Sequence, residues 1–205
     1  MTGATFSATT DNSSNSLAAA EWFGPILFLH NNPTPPVGDT ASQDLLPLDS
    51  VQPTAATLFN YDTDRDSFPG RFVDKGSGLG ETDPVKFQRW SHVPATDLVL
   101  NGQAKITIWS VVKNFQTGKE SGIVVGLYDC TTAGASCVLL GSGSEQQPSW
   151  PSSWSDAEID LGVINYTITT SRSLVVKVAL VATAGESLWF AYDTTTYQSR
   201  LFLTE

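Results

Sequence analysis

Sulfur is scarce in this sequence: two cysteines and one methionine in 205 residues. Basic residues are few as well, 11 against 21 acidic, giving a net charge of -10 and a pI near 4.5. Such a balance repels phosphate backbones and anionic lipid, so nucleic acid is not an expected partner. No run of eighteen apolar residues occurs, and no membrane insertion is expected. No basic segment followed by an apolar stretch opens the chain, so any export signal is expected to have been removed before Met1.

Imidazoles are limited to His30 and His92, and the nucleophile elbow, the zinc-protease helix motif and the phosphate-binding glycine loop are all missing. Gly76-Ser77-Gly78-Leu79-Gly80 is glycine-rich but not set between a strand and a helix, and reads as a flexible turn. A pair of carboxylates for glycoside hydrolysis is conceivable in any chain this acidic and therefore discriminates little. The sequence is expected to have no enzymatic activity and to require no cofactor, with calcium the one candidate ligand.

What is present is β-forming and turn-forming. Serine and threonine together number 45, glycine and proline 27, and 40% of positions are apolar, enough for one sizeable core. Apolar runs of four to ten residues alternate with turn clusters, and few stretches carry a helical period. Strands are predicted at residues 26–30, 56–60, 70–73, 85–90, 97–100, 104–113, 122–129, 138–141, 157–164, 173–182, 188–192 and 199–203. Lys105-Ile106-Thr107-Ile108-Trp109 alternates polar and apolar as a half-buried strand does. Residues 31–53 read as a long surface loop or an extended crossing strand, and residues 142–155 as a second long loop. These elements predict an all-β protein: one jelly-roll-like antiparallel β-sandwich over residues 21–205, preceded by an N-terminal extension over residues 1–20.

Four places carry chemistry. Cys130 and Cys137 flank a polar, glycine-containing turn and are expected to form a disulfide at a hairpin tip, implying an oxidising compartment; two reduced thiols are the alternative. Asp62, Asp64 and Asp66 alternate in a turn and offer hard oxygen ligands to calcium, although Arg65 among them can instead pair with one aspartate and brace a solvated turn. Trp150 and Trp154 stand in a polar loop and are candidates for stacking on a sugar, against a role as loop anchors. The segment Asp193 to Tyr197, following an aromatic strand and preceding Arg200, is a further place for a sugar if its aromatics are exposed. Asn12 and Asn165 fit the acceptor pattern for N-glycosylation.

The N-terminus is the most individual part. Ala4-Thr5-Phe6-Ser7-Ala8-Thr9 is small, β-prone and uncharged, with one aromatic that a neighbouring groove would take up. With Thr10, Asp11 and the renewed run Asn15-Ser16-Leu17-Ala18-Ala19-Ala20, this stretch resembles the mature N-termini of the TasA and camelysin-like family of secreted bacterial proteins. The resemblance covers about a tenth of the chain. It implies a jelly-roll core and extracellular fibres built by donor-strand complementation, one subunit's N-terminal strand completing the next subunit's sheet. A head-to-tail contact of this kind need not close, and generates a homopolymer. The expected function is thus the structural subunit of an extracellular filament or cell-surface matrix. The alternative is a secreted carbohydrate-binding β-sandwich whose partner is a polysaccharide and which takes calcium at Asp62 to Asp66.

Overall fold

The computed structural model describes residues 24–31, 45–58 and 69–204. Its strands in chain order are β1 (Ile26–Leu29), β2 (Leu46–Asp49), β3 (Arg71–Val73), β4 (Phe87–His92), β5 (Leu98–Val112), β6 (Ser121–Thr131), β7 (Val138–Gln147), β8 (Ser155–Ile168), β9 (Arg172–Leu180), β10 (Leu188–Ala191) and β11 (Arg200–Phe202). The protein is all-β, as the sequence predicts. No helix among the described residues is long and apolar enough to cross a membrane.

The longest strand, β5, organises the first layer. One of its edges pairs with β8 over most of its length, and the other takes β11 near the middle and β10 at the end. Beyond these lie β1, paired to β11, and β3, paired to β10. The second layer runs β4, β9, β6, β7, all antiparallel. Strand β2 links the layers, antiparallel to β1 and parallel to β4. Side chains from both layers meet in one continuous core that includes Ile106 and Ile108 of β5, Ile123 and Val125 of β6, and Val176 and Val178 of β9. Burying a side chain of this size contributes roughly 1.5–3 kcal/mol, so the alternation of each strand is held firmly in register.

Several boundaries differ from the sequence expectation. The two strands predicted at 97–100 and 104–113 are one, because the Asn101-Gly102 punctuation lies inside a continuous ladder and the register shifts only at Ala104/Lys105, opposite Gly162 in the left-handed region. Of the two readings of residues 31–53, the crossing strand holds for β2, a strand too short and too proline-interrupted to show a period. Residues 56–58 are not a strand, and the Ala55 carbonyl is taken instead by the Thr195 amide at 2.9 Å.

The predicted 142–155 loop begins as strand: β7 continues through Gly141-Ser142-Gly143-Ser144 to Gln147. These glycines resemble a turn but serve a close approach. A Cβ on Gly141 would meet the Leu161 carbonyl oxygen, and one on Gly143 the Asp160 carbonyl oxygen, so the edge of the second layer can lie against β8 of the first only with bare backbone there. At the other end of β7, Cys130 and Cys137 form the expected disulfide across the β6–β7 turn, with Cα atoms 4.1 Å apart. The turn is tied again by the Thr131 amide to the Ala135 carbonyl at 2.8 Å.

Gly143→Ala is expected to destabilise the protein by roughly 1–3 kcal/mol through overpacking. Gly80→Ala, where a Cβ meets nothing within 4 Å, is expected to stay within about 0.5 kcal/mol of the parent. Urea denaturation of the two variants checks the pair, and equal stabilities would contradict the close-approach account.

Candidate functional site

The same alternation that sends Ile106 and Ile108 into the core sends Thr107 and Trp109 to the outer face of the first layer. Cross-strand pairing then fixes their neighbours. Trp109 faces Asp156 and Thr107 faces Glu158 on β8, while Arg200 of β11 lies on the other side of Thr107 and Phe202 on the other side of Lys105. The loop between β10 and β11 rises beside them, bringing Thr195, Thr196 and Gln198 to the rim. Together they enclose an open, mainly polar groove of about 330 Å³.

One end of the groove is aromatic. The Tyr197 ring lies 5.4 Å from Trp109, edge-on, and 5.4 Å from Trp154 in a tilted stack. Behind them Phe72, Val111 and Trp189 form a small second cluster against which Trp154 packs. Trp109 is half-buried, leaving part of its ring surface to the groove. The other end holds Arg200, whose guanidinium stacks on Phe202 with 5.0 Å to the ring centroid. Lys105 is joined to Glu158 at 3.0 Å, and Asp156 is exposed. A polar floor with carboxylate acceptors, hydroxyl and amide groups and an aromatic face is the chemistry that recognises a polyhydroxylated ring.

The rim loop is braced rather than loose. Ser199 Oγ donates to the Ala191 carbonyl at 2.6 Å and accepts the Trp109 amide at 2.9 Å, tying loop to floor. Asp193 sits in the left-handed region with φ 59°, which aspartate adopts more readily than most residues, and both its carboxylate oxygens have partners. One oxygen accepts the Asn31 amide at 3.0 Å and the other lies 2.7 Å from His30 Nδ1. The second nitrogen of His30 lies 2.8 Å from the Val51 carbonyl and 3.2 Å from Asp49. Both neighbours of the ring are acceptors, an arrangement that favours the doubly protonated imidazolium over either neutral tautomer. Burial pulls the His30 pKa down, but the hydrogen bond to Asp193, the charges of Asp193 and Asp49 and the Val51 carbonyl outweigh it, and the net shift is upward from 6.5.

The most strongly shifted carboxyl lies elsewhere and is structural. Glu81 is lowered to about 2, chiefly by the backbone amides of Asp83 and Ser77, which with Thr82 cradle its two oxygens and pin the 76–83 loop.

Of the residues singled out from the sequence, Trp154 joins the aromatic end of the groove. Trp150 does not: it is 2% exposed, sits in the main core and donates its indole N–H to Ser110 Oγ at 3.2 Å, so it anchors the loop and cannot stack on a ligand. The Asp193 to Tyr197 segment is the rim. Asp62, Asp64 and Asp66 and the donor-strand residues Ala4 to Thr9 lie outside the described residues. Among the described residues no group of three or more metal-ligating side chains gathers. Trp109, Asp156, Glu158 and Phe202 were not foreseen as site residues, although the alternation of Lys105 to Trp109 already points the tryptophan outward.

No family model and no curated protein matches the sequence. Solved structures share its fold. A CocE/NonD family hydrolase from Staphylococcus aureus superposes with a TM-score of 0.60 at 10% identity, over 87% of this chain and 35% of the hydrolase. An aminopeptidase from a marine sediment Thaumarchaeota archaeon gives 0.58 at 11% identity, over 87% and 36%. An α-amino acid ester hydrolase gives 0.57 at 11% identity, over 87% and 35%. At these identities the likeness is one of fold, and the chain spans about a third of the length of each. These neighbours overturn the expectation of a protein apart from enzymes: the sandwich is one that hydrolytic polypeptides carry.

The His30 clasp sets a pH dependence. Its folded pKa is raised, so the stability it contributes is complete below about pH 6.5 and is lost as pH rises through the raised value. His30→Gln is expected to cost about 1 kcal/mol at pH 5.5, with the gap to the parent narrowing towards pH 9. Thermal melts of both proteins across that range check it, and a gap that is constant or widens with pH would contradict the imidazolium assignment.

Proposed function

We propose that this β-sandwich is a carbohydrate-binding module of a hydrolytic polypeptide and that the groove across β8, β5 and β11 is its binding face. The observation that carries the reading is Trp109: an indole partly exposed on a sheet face, beside an exposed carboxylate at Asp156 and a rim of threonine and glutamine. Its ring face covers the apolar side of a pyranose while Asp156 and the Thr196 and Gln198 side chains take the hydroxyls. The fold shared with hydrolases supports a module that holds material near a hydrolytic site. The rigidity of the rim supports it too, because a pre-ordered site loses little entropy on binding. The filament reading rests on residues 2–10, for which the sandwich offers no argument. The candidate calcium ligands Asp62, Asp64 and Asp66 likewise lie outside the described residues.

Retention on a panel of insoluble and soluble polysaccharides, with and without calcium, is the first measurement, followed by calorimetry on the best ligand. Trp109→Ala is expected to weaken binding roughly tenfold or more, the loss of one aromatic platform. Asp156→Asn, which disturbs no packing, is expected to weaken it severalfold, the loss of a charge-assisted acceptor. A protein that retains no polysaccharide, or variants that bind as the parent does, would overturn the reading.

A further inference from the structure

Arg200 is the unusual residue of the groove. The chain has 21 acidic and 11 basic residues, and the cations nearest in kind to Arg200 take carboxylates. Lys105, one row away, takes Glu158 at 3.0 Å. Arg172, in the second layer, takes Asp129 at 2.7 Å. Arg200 makes no ion pair and no side-chain hydrogen bond among the described residues; its guanidinium rests on the Phe202 ring, and its Nε is buried without a partner. The Nε is closed to solvent and so to any ligand, and what a groove ligand meets is the part of the Arg200 side chain that lines the groove, a cation with no anion opposite it. Glu158 does not supply one, since it lies across Thr107 from Arg200 and is engaged by Lys105.

The position over the ring is informative. Phe202 holds the guanidinium carbon over its face, 5.0 Å from the centroid, and an arginine placed in this way offers its planar fork to an incoming carboxylate. Along the groove the order is therefore cation at Arg200, hydroxyl at Thr107, carboxylate at Asp156 and aromatic face at Trp109. A neutral sugar satisfies the last three and leaves Arg200 unmet. A sugar carrying one carboxylate satisfies all four.

We infer that the groove selects a uronic-acid residue, with the sugar carboxylate on Arg200 and the pyranose face towards Trp109. This rests on the carbohydrate-binding reading and goes beyond it by naming the sugar class. The net charge of -10 repels a long, densely charged polyanion, so the preference is to be read on short oligosaccharides at moderate salt.

The probes are trisaccharides of galacturonate and of alginate and hyaluronan fragments, each compared by calorimetry with its methyl-esterified form, in which the same ring lacks the charge. For the sugar that binds, the free acid is expected to bind roughly tenfold or more tightly than the ester, the increment of a charged hydrogen-bonded pair. Arg200→Gln is expected to bring the acid-to-ester ratio close to one, and Arg200→Lys, which keeps the charge and loses the fork, to leave an intermediate ratio. Equal binding of acid and ester by the parent protein overturns the inference without any variant being needed. Tight binding of neutral sugars with no binding of the acids overturns it while leaving the carbohydrate reading in place. Failure of every acid, ester and neutral sugar overturns both. Stronger binding of a short peptide with one free carboxylate overturns both as well, and moves the site to a different ligand class.

Discussion

Everything in this molecule is referred to one strand. β5 runs from Leu98 to Val112 and is paired to β8, β11 and β10 at once, so its register is fixed from both edges. Slipping any of these pairings by one residue would exchange the two faces, placing Thr107 and Trp109 in the core and Ile106 and Ile108 in water. The burial free energy of the core thus dictates the composition of the outer face. The groove is the other side of the same alternation, and its floor is as rigid as the core beneath it.

The rim inherits that rigidity through a few polar contacts. Ser199 joins the loop to the floor at Trp109 and Ala191, while His30 and Asp193 join it to the ends of β1 and β2. The link strand β2 is therefore more than a connection between layers, since the segment that follows it supplies the Val51 carbonyl that lies against His30. At the opposite edge of the sandwich the glycines of β7 let the second layer close on β8, the strand that carries Asp156 and Glu158. The groove thus lies on a sheet supported on both flanks.

Much of this architecture was legible in the sequence, because period-two patterns survive in long, half-buried strands. β5, β6 and β9 were visible for that reason, and so was the disulfide, whose cysteines flank a turn. β2 was visible only as one of two readings of a longer segment, since four residues containing a proline show no period. The extent of β7 was hidden because glycine and serine mark turns far more often than a close approach between sheets. Trp150 and Trp154 look alike in sequence, four residues apart among prolines and serines; only the fold shows that one donates to Ser110 in the core and the other packs on Tyr197 outside it. The binding surface was least legible. It is assembled from single residues on β5, β8 and β11, and the state of Arg200 is a property of its surroundings that no spacing encodes.

The central claim is that ligand meets the outer face of the β5 layer. Nuclear magnetic resonance of the tryptophan indoles during an oligosaccharide titration tests it most directly, because these rings sample distinct parts of the molecule. The account predicts that the Trp109 and Trp154 indole resonances move on binding while those of the buried Trp90, Trp150 and Trp189 stay in place. Saturable binding with Trp109 and Trp154 unmoved, and the largest changes around Tyr128 and Val175 on the outer face of the second layer, would contradict it.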